Sequence, residues 1–526
     1  MTVRKIVFIA LCGSVFGFSC TKDLNRTSPN ALTADDLYKT ESGYRSSLAK
    51  LYGGLALTGN SGPDGSGDLG GIDEGFSSYL RTYWYLQELP TDEAVIAWND
   101  QTIKDLHEMD WSPTEVFNRA MYSRIFYQIT LANAFIRESS DDKLSARGIS
   151  GADATKVKGY QAEARFLRAL SYLHAMDLYG STTFVTEQDP IGAFLPPQKS
   201  RAEIFNFVES ELKAVESLVP DPKQNEYARA DKAAVWMTLA NLYLNAKIYT
   251  GTERYTDAVT YSSKVTAVAY TLEPNYANLF LADNNKSNEF IFAVAFDGTK
   301  TRTWGGTTFL VHAPVGGDMD VNDYGIDFGW GGVRTTKAFV QKFPDPSGAT
   351  DKRAMFQTAG QTLEINDISD FRSGYSIKKW KNVTSTGAHG SSLTWADTDF
   401  PMFRLAEAYL IYAEAVLRGG TGGSTTQALT YINNLRQRAY GNTSGNISST
   451  QLTLDFLLDE RARELQWEGK RRTDLIRYDE FTTSAYLWPW KGGVKDGTAV
   501  SQARNLYPIP AAEINTNPNL IQNEGY

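Results

Sequence analysis

Cysteine is nearly absent from the chain: among 526 residues there are two, Cys12 and Cys20. Cys12 lies inside the apolar run from Ile6 to Phe18, so the pair supplies no disulfide framework. Histidine is scarce as well. His107, His174, His312 and His389 are dispersed, with neither HExxH nor another paired spacing for a metal. No G-x-S-x-G elbow and no G-x-x-x-x-G-K-S/T phosphate loop occurs. Basic runs of five or more are missing. The formal charge is −9, and loss of Arg4 and Lys5 with residues 1–19 makes it −11. Such a surface repels phosphodiester backbones and argues against nucleic acid as a partner. After residue 19 no apolar stretch is long enough to span a bilayer, and no Pro- or Ser-rich linker divides the chain.

What is present begins with Arg4-Lys5, the short apolar run, then Ser19-Cys20 and the polar Thr21-Lys22-Asp23. A positive n-region, an apolar h-region and a small residue at the cut predict a secretory signal over 1–19. Cleavage before Cys20 leaves one thiol, at the first mature position. That is the pattern of a bacterial lipoprotein, with Cys20 carrying the lipid. A free thiol on an ordinary exported protein is the alternative, and Gly17 stands where lipoprotein signals usually carry Leu or Val.

Helical periodicity dominates two separated regions. Lys158 to Leu178 places Ala162, Ala164, Phe166, Leu167, Leu170, Leu173 and Leu178 on an apolar face, with Glu163, Arg165 and Arg168 outside. Ala230–Ala246 and Tyr255–Val268, then Phe403–Leu417 and Ala428–Arg438, predict helix pairs joined by Gly-bearing turns. Ala240, Tyr243 and Ala258 fall at small-large-small positions like those of a tetratricopeptide repeat. With Ala34–Leu57 and Asn118–Arg137 the pattern predicts about four loose helical pairs. A last helix, Leu452–Glu468, pairs Asp459 with Arg463, and Glu468 with Arg472, at i,i+4 spacing. The segments Gly62–Asp100 and Gly298–Asp397 are rich in Gly, Asp, Thr and aromatics and read as long irregular excursions, with strand-like pieces such as Glu289–Val294 beside them. Long loops on a rigid scaffold are the usual place for binding chemistry.

Catalysis finds little support. Gly65-Ser66-Gly67-Asp68-Leu69-Gly70 fits G-x-G-x-x-G, but no strand precedes it, and Asp64, Asp68, Asp73 and Glu74 would repel a pyrophosphate. Asp64, Ser66 and Asp68 have calcium-like spacing without the Gly and Glu that complete such a loop. No motif singles out a pair of carboxylates set across a sugar. His174 lies on an apolar helix face and reads as structural. The expectation is a protein that is not an enzyme, with no cofactor and no metal.

Five blocks carry a resemblance. LYPIPAAEINTNPNLIQNEGY at the C-terminus, LLDERARELQWEGKRRTDLIRY, PMFRLAEAYLIYAEA, GPDGSGDLGGIDEG and LRTYWYLQELPTDEAVIAW look like signature segments of the SusD/RagB family. They are spread from Cys20 to Tyr526. The resemblance implies a mainly α fold: four tetratricopeptide-like helix pairs carrying a long, irregular, loop-rich binding region and a few short strands. It implies one domain over 20–526, with an N-terminal part of about 20–250 and a C-terminal part of about 251–526. It also implies a lipoprotein on the outer face of the outer membrane, an exterior position to which Asp23 also points. Its partners would be an oligosaccharide and a SusC-like TonB-dependent transporter, to which it delivers cargo.

Site residues follow only where positions match. In starch-binding members an arc of aromatics cradles the glucan. Trp98, Trp304 and Trp330 fall at three arc positions, Arg81 and Asp68 at polar ones, and Asn99 or Asp100 near a third. Ile96 stands where such a member has another tryptophan, which predicts a missing wall, and the inserted run Asp318–Asp327 differs too. Both weaken starch specifically, though it remains the favoured cargo; a fructan, a β-glucan or a peptide is the alternative, and a surface glycan hydrolase a remoter one. Trp236 and Trp467 read as core, and Trp488 and Trp490 as packing.

Overall fold

The computed structural model describes residues 33–63 and 67–526. The signal segment, Cys20, Asp64 and Ser66 lie outside the described residues. The N-terminal half contains α1 (Glu41–Gly53), α2 (Tyr79–Glu88), α3 (Val116–Glu138), α4 (Gly151–Tyr179), α5 (Arg201–Val215), α6 (Lys232–Leu244) and α7 (Tyr255–Thr266). The C-terminal half adds α8 (Gly306–His312), α9 (Leu405–Leu417), α10 (Thr425–Tyr440), α11 (Leu454–Leu465) and α12 (Arg471–Arg477). Local chemistry sets many of the ends. Ser200 and Glu203 close a capping box on α5, and Ser424 caps α10, which stops at left-handed Gly441.

The helices stack in succession: α3 on α4, α4 on α5, α6 on α7 and α9 on α10, with α9 lying on α7 across the intervening excursion. This is the mainly α, tetratricopeptide-like scaffold expected from the repeats. Among the described residues no helix is long and apolar enough to cross a membrane.

Several local expectations change. Glu163 and Arg168 are buried rather than outside: Glu163 accepts from Tyr52 and Arg229, and Arg168 binds Glu211 at 2.6 Å. Phe403 and Arg404 belong to a strand, and α11 ends at Leu465 because Trp467 takes a left-handed backbone at φ 59°. Glu468 and Arg472 therefore share no helix. Glu468 binds Lys379 and Arg404, while Arg472 binds Asp177. Asp459 likewise turns to Lys342, and Arg463 to Glu460. The excursion Gly62–Asp100 holds α2, all ten residues of which are buried. A helix covered on every side shows no polar face, so periodicity does not reveal it.

Four short strands matter for the site. β1 (Val95–Ile96) pairs antiparallel with β3 (Val333–Arg334), and β2 (Phe290–Val294) with β4 (Phe400–Arg404), numbered in chain order. β1 is held from below by the C-terminal half. Glu93 accepts the Trp467 amide at 2.9 Å and its indole N–H at 2.8 Å; Glu88 accepts the Gly469 and Lys470 amides; Asp92 binds Arg471 at 2.7 Å. Next to this clamp Arg404, 1% exposed, bonds Glu289, Glu464 and Glu468, and Arg353 bonds Asp351, Glu460 and Glu464.

Candidate functional site

Trp98 follows β1 directly, and the ladder continues past it, since the Ala97 amide donates to the Gly332 carbonyl at 2.9 Å. The Trp98 indole N–H donates to the Trp330 carbonyl at 3.1 Å. Its ring lies on the backbone of Gly332, where a Cβ would meet Cε2 at 2.6 Å. Only glycine admits the indole there. Trp98 and Trp330 stand 6.3 Å apart with planes tilted by 41°, and Trp330 and Trp304 6.2 Å apart, tilted by 59°. Trp304 continues to Trp395 at 4.3 Å. All four indoles are partly exposed.

Arg81 on α2 is the hub beneath them. Its guanidinium lies 5.8 Å from the Trp98 and Trp330 ring centroids and 4.6 Å from that of Phe309 on α8. Nε and Nη2 donate to the Tyr85 hydroxyl, and Nη1 to the carbonyls of Gly75 and Trp304. An arginine has five N–H donors, and these contacts among the described residues use four of them. Behind Trp330 the buried His312 ring packs at 5.2 Å, its Nδ1 bonded to the Phe328 carbonyl. Burial holds the His312 pKa below the ordinary imidazole value. Phe328 itself is 48% exposed at the rim.

The sequence-based residues divide. Trp98, Trp304, Trp330 and Arg81 converge. Asn99 and Asp100 are exposed beside Trp98, Asn99 accepting from Lys104 and Asp100 standing at the start of a short helix. Asp68 is engaged elsewhere: its carboxylate binds Lys50 at 2.8 Å, and no hydrogen bond or ring contact among the described residues joins it to the tryptophans. Ile96 is covered rather than open to the arc. It is 1% exposed and pairs with Val333, so it offers the ligand no open surface of its own. Trp395 and Phe328 were not foreseen, although both lie inside the excursion Gly298–Asp397 that also bears Trp304 and Trp330. His174 is structural: Tyr79 bonds it at 2.8 Å and Tyr83 stacks on it. Trp467 and Trp488 are fully buried, Trp490 packs partly buried, and Trp236 is only half-buried.

Tilted indoles around a cation offer stacking faces and a few directed donors, an arrangement suited to a flat-faced, hydroxyl-rich ligand. Comparison with known proteins agrees with the fold. Residues 356–526 match the profile of the SusD family, and a relative 39% identical aligns along 91% of the chain; the chain belongs to the SusD family. The starch-binding protein SusD of Bacteroides thetaiotaomicron is 39% identical, the match covering 91% of each chain. SusD-like protein P2 of Formosa agariphila is 25% identical over 74% of this chain and 78% of its own length. Among solved structures, surface glycan-binding protein A from Bacteroides thetaiotaomicron superposes with a TM-score of 0.70 at 19% identity, covering 93% of this chain and 100% of that one. The same fold is seen in the protein of that name in complex with laminarihexaose, with a TM-score of 0.68 at 19% identity, covering 92% and 99%.

Proposed function

We propose that this chain is a non-catalytic glycan-binding lipoprotein of the outer-membrane surface, anchored through Cys20. It captures oligosaccharides, with starch or malto-oligosaccharide favoured, and hands them to a SusC-like TonB-dependent transporter. The carrying observation is the arc of Trp98, Trp330, Trp304 and Trp395 over Arg81. A pyranose presents an apolar C–H face to an indole and equatorial hydroxyls to Arg, Asp and Asn. Successive ring planes tilted by 41° and 59° suit a glycan that curves, as an α-glucan does, better than a flat ribbon. The 39% identity to starch-binding SusD supports the same choice.

Each stack removes about 80 Å² of apolar surface and contributes roughly 2 kcal/mol. Three or four stacks less ordering costs give roughly millimolar to micromolar affinity, which suits a cargo that must be released. The test is affinity electrophoresis of the purified protein in gels containing amylopectin, levan, laminarin or no glycan, with Trp98→Ala beside it. Retardation in amylopectin that Trp98→Ala abolishes is expected. Retardation in another glycan alone corrects the cargo, and none anywhere refutes the reading. Absence of reducing-sugar release on the same glycans separates binding from hydrolysis.

A further inference from the structure

The insertion Asp318–Asp327 borders two different surfaces. Its ends are rooted at the tryptophan arc. Gly316, just ahead of it, packs on the Gly331 backbone so closely that a Cβ would come within 2.7 Å of the Gly331 Cα. At the other end the Asp327 amide donates to the Leu393 carbonyl, its carboxylate accepts from Thr394, and the exposed Phe328 follows. Its middle forms one wall of a cleft of about 540 Å³, with Asp320, Asp323 and Tyr324 facing Lys352, Lys378 and Lys381.

We infer that this cleft is a second sugar-binding subsite, which takes up the length of an oligosaccharide whose other end lies on the tryptophan arc. The inference rests on the glycan-binding reading above and adds where a longer chain goes. The three lysines make no ion pair among the described residues, and Lys381 is held over the Tyr324 ring at 4.8 Å. Of the carboxylates, Asp318 at the cleft edge is occupied by Arg372 at 2.8 Å, whereas Asp323 has no ion-pair partner among the described residues. With Asp318 paired to Arg372, Asp320 and Asp323 stand against three lysines, so the opening presents charges of both signs with one positive in excess. It offers donors on one wall and acceptors on the other. Neutral hydroxyls, each both donor and acceptor, satisfy both walls at once; an anion would meet the aspartates and a cation the lysines. No exposed indole lines the cleft, so it grips by hydrogen bonds and adds to the arc rather than substituting for it.

The insertion is tethered beside Trp330 at one end and beside the Trp395 loop at the other. Asn382, next to Lys381, carries this second tether onward: it donates to the Ser392 and Gly325 carbonyls and accepts the Asp397 amide. Both surfaces are thus mounted on one frame.

Isothermal titration separates the two sites. The probes are malto-, laminari- and fructo-oligosaccharides of about three and about seven units, each against the parent protein, Lys352→Met with Lys378→Met, Asp320→Asn with Asp323→Asn, and Trp98→Ala. Lys352, Asp320 and Asp323 are exposed and Lys378 half-buried, and unchanged thermal midpoints will confirm that both pairs fold. In the series that binds, each cleft pair should weaken the longer probe about fivefold or more and leave the shorter within about twofold. Trp98→Ala should weaken both. Equal loss for both lengths, or no loss for either, overturns the subsite while the arc stands. If no series binds the parent protein, both the glycan-binding reading and the subsite fall.

Discussion

Gly332→Ala tests how the arc is seated. The new methyl would start 2.6 Å from Trp98 Cε2 and 2.8 Å from Nε1. Carbon atoms rest at about 3.5 Å or more, so the indole must retreat by about 1 Å. It cannot do so freely, because its N–H is fixed to the Trp330 carbonyl at 3.1 Å and its ring lies against Phe309. Breaking that hydrogen bond costs about 1 kcal/mol, and overpacking adds roughly 1 kcal/mol or more. For a chain of this size the sum lowers the thermal midpoint by about 2 °C. Moving the ring also spoils one sugar stack worth about 2 kcal/mol, a loss of about 30-fold in affinity. Titration with the glycan that retards the parent protein, beside differential scanning calorimetry, reads both effects. Affinity within twofold of the parent would refute the seating, since the indole would then have slid without consequence. Gly331→Ala is the control: a Cβ there has no atom nearer than Phe371 Cγ at 3.9 Å, so any cost comes from its φ of +54° and not from Trp98.

Ile96→Trp, which would restore a tryptophan by analogy with starch binders, should destabilise by about 1–3 kcal/mol in urea and gain no affinity, because the side chain enters the core. Tighter amylopectin binding by that variant would show the position to be open to ligand. Arg404→Met takes from the buried Glu289, Glu464 and Glu468 the cation they share, leaving them to Arg438, Arg353 and Lys379, and should cost about 3 kcal/mol in denaturant unfolding; a loss under about 1 kcal/mol would mean the remaining cations suffice. His174 is buried against Tyr79 and Tyr83, near Lys470 and Asp177, and burial pulls its pKa down to about 3. The unfolded chain binds that proton below about pH 6.5 and the folded chain does not, so His174 destabilises by about 1.4 kcal/mol per unit as pH falls from about 6.5 towards 3. His174→Phe should flatten the stability profile by that slope in this window. Glu93, raised to about 8 by burial, titrates in the opposite sense in both proteins and cancels in the comparison. Parallel profiles would show His174 to be protonated in the fold.

Much of the scaffold was legible: α7 and α10, half-covered by neighbours, keep a two-sided pattern, while α6 and α9, each buried at ten of thirteen residues, stand out as long apolar runs bearing alanine. α2 escaped because burial on every side erases the pattern. The charged run from Glu460 to Arg472 misled for a related reason. Its alternating signs suit a solvated helix, yet Glu460, Arg461, Glu464, Glu468, Arg471 and Arg472 are all buried, paired with residues far away in sequence. Spacing along one helix cannot report partners supplied by the fold. In the site, Trp98, Trp304, Trp330 and Arg81 were reached through the family resemblance, the three tryptophans lying in the Gly- and Asp-rich excursions and Arg81 on α2. The burial of Ile96 was not legible, because its cover comes from parts of the chain remote in sequence.

The clamp under β1 has a consequence in time. Glu88 and Glu93 reach Gly469 and Trp467 across 381 and 374 residues. Contacts so distant close late, after most of the chain has condensed. A polypeptide cut after Leu465 would keep every indole of the arc and still lack the struts that set Trp98 in place. Synthesis delivers Trp98 hundreds of residues before the groups that align it, so an incomplete copy has the parts of the arc without their setting.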